Sequence, residues 1–351
     1  MRFDLSAEQR DFQQAIRHLI DSEAASDQLV TTIGDDQRDQ RLWQRLLNDI
    51  GVGDILREGT ELMVEAATAA REIGRGLVCP DFLPASVAAA FLRHDTENHG
   101  LLDDVQAGRR SIVVVDPGAT GDSGLTVSTR DTTDVLSGTV VGLATAAPVP
   151  CSAIATAATD DGVQVFVVDD CPEPKVADQR LDLTRTICTL DLGGASARRV
   201  SLPPLALEAA YLIQAAEAIG AGETCLELAV DHAKVRHQFG HPIGSFQAIK
   251  HRCATVATRL EAARAAMWNA AWELSVQTPT AGTRARIAKA ASIETLKHAA
   301  ENLIQILGGT GFTWEHPAHL YYRRAVASQH LFGTIDEHRD LVAQRLFVPT
   351  R

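Results

Sequence analysis

Two stretches in the last third of the chain decide how the rest is read: Arg236-His-Gln-Phe-Gly-His-Pro-Ile-Gly-Ser-Phe-Gln247 and Gln305-Ile-Leu-Gly-Gly-Thr-Gly-Phe312. Arg236 offers a planar fork of donors suited to bidentate contact with an anion. Gln247 can donate and accept through one amide. Gly308 and Gly309 lack Cβ, so backbone N–H groups can approach an anion closely. Phe239 supplies apolar packing. Taken singly, each residue has a plainer reading: Arg236 pairs with an acidic neighbour, and the glycines end a helix. The joint spacing favours a shared ligand.

Working outward, both stretches border long helices. Val256, Leu260, Ala263, Met267, Ala271 and Leu274 recur at steps of three or four, a stripe expected to be core in an antiparallel bundle. The next helix, from about Thr283 to Leu307, is expected to stop at Gly308-Gly309. Upstream the texture changes. Ile112-Val-Val-Val115, Gly124-Leu-Thr-Val-Ser-Thr129, Val165-Phe-Val-Val168 and Ile187-Cys-Thr-Leu190 are short, β-branched and bounded by Gly, Asp and Pro. Before them lies a helical region. Ser6-Ala-Glu-Gln9 fits a capping box, and a helix from about Glu61 to Leu77 should end near Gly74 and Gly76. The expected fold is therefore α+β and mainly α: an N-terminal helical domain over 1–108, a mostly antiparallel β domain over 109–202, and a C-terminal helical bundle over 203–351.

Composition narrows the function classes. Across 351 residues, 45% are apolar and 22% charged, values of an ordinary globular protein. A net charge of −12 argues against a general nucleic-acid or anionic-membrane surface. No apolar run reaches membrane-spanning length, and Met1–Arg10 has no signal-peptide hydrophobic region, so a cytoplasmic location is expected. The six cysteines are scattered without a C-x-x-C pair and read as reduced thiols. His316 and His319 form the one histidine pair that stands out, but without matching Cys or acidic ligands no metal site is expected.

With Asp182-Leu-Thr-Arg185, and with the second stretch continued to Pro317, the chain resembles the acyl-CoA dehydrogenase family, most strongly over 205–334 and weakly over the first 200 residues. The resemblance implies that the Arg236/Phe239/Gln247 stretch and Gln305, Ile306, Leu307, Gly308 and Gly309 grip an FAD bound mainly to a neighbouring subunit. It also implies that a subunit's own flavin rests on the β domain and on residues beside a carboxylate base. That second set is eroded. Val115-Asp-Pro-Gly-Ala119 replaces a Thr-Glu turn, Ser137-Gly-Thr-Val140 has lost a lysine, and Thr334 survives in place. An ungapped count from the double glycine, which in the family reaches Tyr-Glu-Gly-Thr, lands here on Phe332 in Leu331-Phe-Gly-Thr334.

Desaturating an acyl-CoA thioester removes an α-proton while a hydride leaves the β-carbon, so a positioned carboxylate is required. Phe332 cannot accept a proton. The family's alternative base position falls on Ala210. Glu208, two residues earlier, lies on the opposite helix face; Glu217, seven later, lies on the same one and is the better displaced candidate, though an acid paired with Arg or Lys is the expected reading. Asp336 and Glu337 are expected to open the last helix.

The pattern resembles the non-catalytic-type subunit of actinobacterial heteromeric steroid acyl-CoA dehydrogenases. It implies a heterotetramer with a catalytic subunit, a bulky acyl-CoA substrate and an electron-transfer flavoprotein as acceptor. Two rivals stand beside it: a self-sufficient homotetramer or dimer with a displaced base, and a non-enzymatic scaffold of the same fold.

Overall fold

The computed structural model describes residues 5–23, 29–92, 99–120, 122–145, 150–176 and 179–347; Met1–Asp4, part of the start weighed above, lie outside them. The capping box closes as expected. Ser6 N–H donates to Gln9 Oε1 at 2.9 Å and Gln9 N–H to Ser6 Oγ at 3.1 Å, opening α1 (Ala7–Glu23). There follow α2 (Leu29–Thr32), α3 (Asp36–Asn48), α4 (Val52–Glu58), α5 (Met63–Gly76), α6 (Phe82–Leu92) and α7 (His99–Gln106).

Strands β1 (Ser111–Val115), β2 (Thr126–Arg130), β3 (Thr133–Ser137), β4 (Thr139–Ala144), β5 (Cys151–Thr159), β6 (Gly162–Val168), β7 (Lys175–Val176), β8 (Ile187–Asp191) and β9 (Ala195–Val200) form one sheet in the order β2-β3-β9-β6-β5-β1-β4-β8-β7. Pairing is antiparallel except for β1 with β5. Strand β1 is apolar on both faces because both are covered: Ile112 and Val114 join the helical core, while Val113 and Val115 join a second core inside the β region.

The bundle consists of α8 (Ala206–Val235), α9 (Gln247–Ser275) and α10 (Ala281–Leu307), with α11 (Ala318–Ser328) and α12 (Ile335–Phe347) packed on α10. All six residues of the expected stripe on α9 are buried. Helix α10 ends where expected: Gly308 is its C-cap at φ 65°, ψ −136°. Among the described residues no helix is long and apolar enough to cross a membrane, and no group of three or more His, Cys, Asp or Glu could hold a metal ion. His316 instead organises the start of α11, its Nδ1 accepting Ala318 N–H at 3.1 Å.

Helix α5 starts at Met63 rather than Glu61 and ends at Gly76, as expected, with Leu77 as its C-cap in the left-handed conformation; Gly74 lies inside it. Gly74 is there for packing. A Cβ on it would lie 2.1 Å from Glu217 O, and a Cβ on Gly220 would lie 1.8 Å from Arg71 O. Helices α5 and α8 thus cross backbone against backbone, each supplying a glycine. Gly220→Ala should lower stability by on the order of 1–3 kcal/mol, because a methyl group forces the two helices apart. Gly100→Ala, at an open position in α7, should be neutral or slightly stabilising. Urea midpoints of the two variants measure the contrast; equal midpoints would refute the crossing.

Candidate functional site

Helix α8 ends at Arg236, whose N–H donates to His232 O and whose carbonyl receives Ile243 N–H at 2.7 Å. Between them a two-residue hairpin, β10 (His237–Gln238) and β11 (His241–Pro242), turns through Phe239 and Gly240, both at positive φ. That primed turn holds the Phe239 ring out in solvent, 88% exposed, edge-on to Phe246 at 6.2 Å. Gln247 opens α9. Arg252, just over a turn further on, donates to Asn302 Oδ1 of α10 at 2.9 Å. This contact brings the start of α9 and the end of α10 together at one end of the bundle, so Gln247 and Gln305–Gly309 lie within a few helical turns of each other.

At that end Ile304, Gln305, Gly308, Gly309, Phe312 and Tyr322 line a groove of about 420 Å³. Arg236, Gln247 and Gln305 are exposed, and among the described residues their side chains have no hydrogen-bond or ion-pair partner. The plainer reading of Arg236, an acidic neighbour, is therefore not what the structure holds. The two glycines also separate. Gly308 needs its positive φ to end α10, whereas Gly309 is at no such φ and an added Cβ would meet nothing within 4 Å. This chain's own fold gives no reason for glycine at 309. Ile306 and Leu307 turn their side chains into the core, which narrows their expected role to backbone atoms.

The position of the missing base is built quite differently. Phe332 is fully buried at φ 58°, and its N–H donates to both oxygens of Asp116 at 3.1 Å. Asp116 also accepts Gly118 N–H at 2.8 Å, folding residues 116–119 back over the bundle. Gly333 takes that segment at close range: a Cβ on it would lie 2.4 Å from Ala119 Cβ. Ala119 O receives Arg286 Nη1 at 2.8 Å and Tyr211 Oη at 3.3 Å. From α10, Lys289 Nζ donates to Phe332 O at 3.0 Å and to Gly333 O. His338 Nε2 sits 2.8 Å from Phe332 O and 3.0 Å from Lys289 Nζ, and its Nδ1 lies 3.3 Å from Arg286 Nη1. The Nε2–H tautomer satisfies the Phe332 and Arg286 contacts, with Nε2–H and Nζ both donating to the Phe332 carbonyl. This cluster of Asp116, Tyr211, Arg286, Lys289 and His338 escaped the sequence reading. Its one local signal is Arg286 and Lys289, two charges three residues apart in an alanine-rich helix.

The other candidates fall into place around it. Glu217 is buried in an ion pair with Arg185, with Arg324 Nη1 at 4.0 Å, the paired acid that was expected; held by two guanidinium groups, it is not a free base. Glu208 faces Arg286 at 3.7 Å and so reaches the edge of the cluster. Thr334 and Glu337 form a second capping box, with Thr334 N–H and Oγ1 donating to Glu337 Oε2 at 2.7 and 2.8 Å. Asp336 and Glu337 lie in the first turn of α12, as expected.

Burial sets the titration of the cluster. It lowers Lys289 to about 7. His338 falls to about 3, through burial first and then the neighbouring Lys289 charge. Burial raises Asp116 against the pull of the Gly118 and Phe332 N–H groups. With its folded value below the ordinary 6.5, His338 binds fewer protons in the folded state, so its contribution to stability is lost as pH falls from 6.5 towards 3. Asp116 acts in the opposite sense over the interval just above its ordinary value. His338→Gln, which stays neutral, should therefore remove on the order of 3 kcal/mol of acid destabilisation between pH 6.5 and 4. Denaturant midpoints across that range test this, and an unchanged slope would mean that His338 does not fold as the neutral form.

The described geometry can be set beside known proteins. A family model for the acyl-CoA dehydrogenase C-terminal domain matches residues 206–347. Acyl-CoA dehydrogenase IpdE2 of Mycobacterium tuberculosis is 32% identical over 301 residues, spanning 84% of this chain and 82% of that protein. Among solved structures, a chain of the ChsE4–ChsE5 complex from Mycobacterium tuberculosis matches with a TM-score of 0.82 at 23% identity over 100% of both chains. A chain of a Tcur3481–Tcur3483 steroid ACAD variant matches with a TM-score of 0.83 at 24% identity over 96% of this chain and 97% of that one. The likeness of fold thus extends through the first 200 residues, where sequence alone was weak. The chain belongs to the acyl-CoA dehydrogenase family, whose members are FAD-dependent oxidoreductases.

Proposed function

We propose that this chain is the partner subunit of a heteromeric acyl-CoA dehydrogenase and lends the second half of an FAD site to another chain. One observation carries the reading. Residues 116–119 are seated directly on Phe332 and Gly333, where the chain's own base and flavin would meet, while Arg236, Gln247 and Gln305 face outward without partners among the described residues. The donor set fits the outer half of a flavin site and does not fit the inner half.

In this reading Arg236 holds the cofactor's pyrophosphate, Gln247 and Gln305 contact its polar edges, Phe239 packs on it, and the backbone at Gly308 and Gly309 lies close against it. Bound there, FAD accepts the hydride of the desaturation. This chain's residues orient the cofactor and shield it from water; the α-proton is taken by a carboxylate of the other subunit, because Phe332 and the paired Glu217 cannot take it. Thr334, already engaged by Glu337, has no cofactor role in this arrangement. The β region (109–202) between two helical domains (1–108 and 203–351) supports the cradle. Two structural neighbours are two-component complexes and one of them is a steroid ACAD, which supports an α2β2 assembly acting on a steroid-derived or other bulky acyl-CoA, with an electron-transfer flavoprotein as acceptor.

The assembly should purify with one FAD per pair of chains when this chain is co-expressed with its partner. Arg236→Ala should weaken flavin retention by about 10–100-fold, the loss of a charge-assisted bidentate contact worth ~1.5–3 kcal/mol, without lowering the melting temperature of the isolated chain. Flavin absorbance per chain measures both. If the chain alone forms a fully flavinylated homotetramer that oxidises an acyl-CoA, the partner-subunit reading is wrong. If Arg236→Ala leaves flavin content unchanged, the retained motif serves a scaffold.

A further inference from the structure

Strands β5 and β6 pair from Thr159 with Gly162 down to Ala153 with Val168. Beyond that register the chain turns back, and Cys171 N–H donates to Cys151 O at 3.0 Å. The contact sets two cysteines, far apart in sequence, side by side at the rim of the core inside the β region. Their sulfurs are 3.0 Å apart, about 1 Å beyond a disulfide bond, and both residues are half-buried, within reach of a small solute.

The surroundings favour reaction at one of the two. Arg110 Nη1 lies beside them, donating to Ser152 Oγ at 3.0 Å and to Asp169 O. The hydrogen bond from Cys171 first, then Ser111 and the Arg110 charge, bring the Cys151 thiol down to about 7 from an ordinary 9.0. The same hydrogen bond pushes Cys171 up, so it keeps its proton. Asp169 is itself paired with Arg198, and Asp170 pairs with Arg110 at 3.2 Å. The third sulfur of this core, Cys188, is buried and donates to Gly142 O at 3.5 Å.

We propose that Cys151 and Cys171 are a redox-active dithiol that closes reversibly to an intrachain disulfide. With hydrogen peroxide as oxidant, the Cys151 thiolate attacks one peroxide oxygen, the O–O bond breaks, and hydroxide leaves, giving a sulfenic acid on Cys151. The Cys171 sulfur then attacks the Cys151 sulfur; the S–O bond breaks, the Cys171 proton and the departing hydroxide combine as water, and the S–S bond forms. The hydroxide released in the first step takes up the proton that Cys151 lost on ionising, so two thiols have been oxidised by two electrons and one peroxide reduced to two waters. A dithiol reductant reverses the closure. The bond ties the start of β5, next to β1, to the segment after β6.

The test uses the full chain, co-expressed with its partner where the two assemble. After mild hydrogen peroxide treatment and alkylation in denaturant, two of the six cysteines should be blocked. Digestion should yield one linked peptide joining residues 151 and 171, and dithiothreitol should restore both thiols. Cys151→Ser and Cys171→Ala should each abolish the linked peptide, and Cys188→Ser should leave it intact. Recovery of six free thiols, or of Cys151 as sulfinic acid with no linked peptide, overturns the proposal. The linked-peptide measurement is made on the unsubstituted chain, so it stands even where a variant folds poorly.

Discussion

The seating of Asp116 on the Phe332 backbone is the contact on which the reading of the rest depends. Phe332 holds a left-handed conformation that costs an ordinary side chain about 1–2 kcal/mol, and it keeps it because both of its backbone polar groups are held. Its N–H is taken by Asp116, and its carbonyl is taken by Lys289 and His338. Arg286 and Tyr211 hold Ala119 from below, and Gly333 leaves the space into which Ala119 fits. Breaking one of these links leaves a polar group unpaired in low dielectric, as Arg286 Nε already is among the described residues. Under the proposed function, the room that a subunit's own cofactor would need is taken by residues 116–119.

The outer end of the bundle has the opposite character. Phe239, Phe312 and Trp314 stand mostly in solvent, and Phe312 lines the groove together with Gln305, whose side chain has no partner among the described residues. Under the proposed function these exposed rings belong to the surface that meets the cofactor and the other chain. Gly309 adds an independent argument. Glycine lowers helix and turn stability relative to alanine unless φ or packing demands it, and at 309 neither does within this chain. Under the proposed function the demand comes from the cofactor, which approaches from outside.

What could be read from sequence was what local pattern encodes. The Ser6–Gln9 box, the α9 stripe, the end of α10 at Gly308 and the acidic opening of α12 each depend on neighbours a few residues away, and each stands as expected. Gly76 ends α5 as expected, but the helix crossing that needs Gly74 could not be read, because its partner Gly220 is distant in sequence. The Asp116 cluster was hidden for the same reason. Its members come from a β-strand exit, two bundle helices and the final helix, and no spacing rule joins them. Cys151 and Cys171 were scattered thiols until the β5–β6 register brought them together.

Glu217 shows how burial converts a plausible catalyst into architecture. Arg185 and Arg324 are both deeply buried, and a guanidinium does not shed its proton in a protein. Each must therefore meet negative charge: Arg324 reaches Asp182 at 2.9 Å and Glu217 at 4.0 Å, while Arg185 pairs with Glu217 and donates to Ser328 Oγ at 3.0 Å. Protonating Glu217 would leave two buried cations sharing one carboxylate, and a base must be protonated once in every turnover. Removing one partner from such a set typically costs 3–5 kcal/mol, so the acid is retained for the arginines whether or not the chain catalyses anything. Through them it fastens the Asp182–Arg185 segment to α8 and α11, and α11 is the helix that leads into Phe332. The carboxylate thus helps hold in place the segment around Phe332, the position whose missing base it was a candidate to replace.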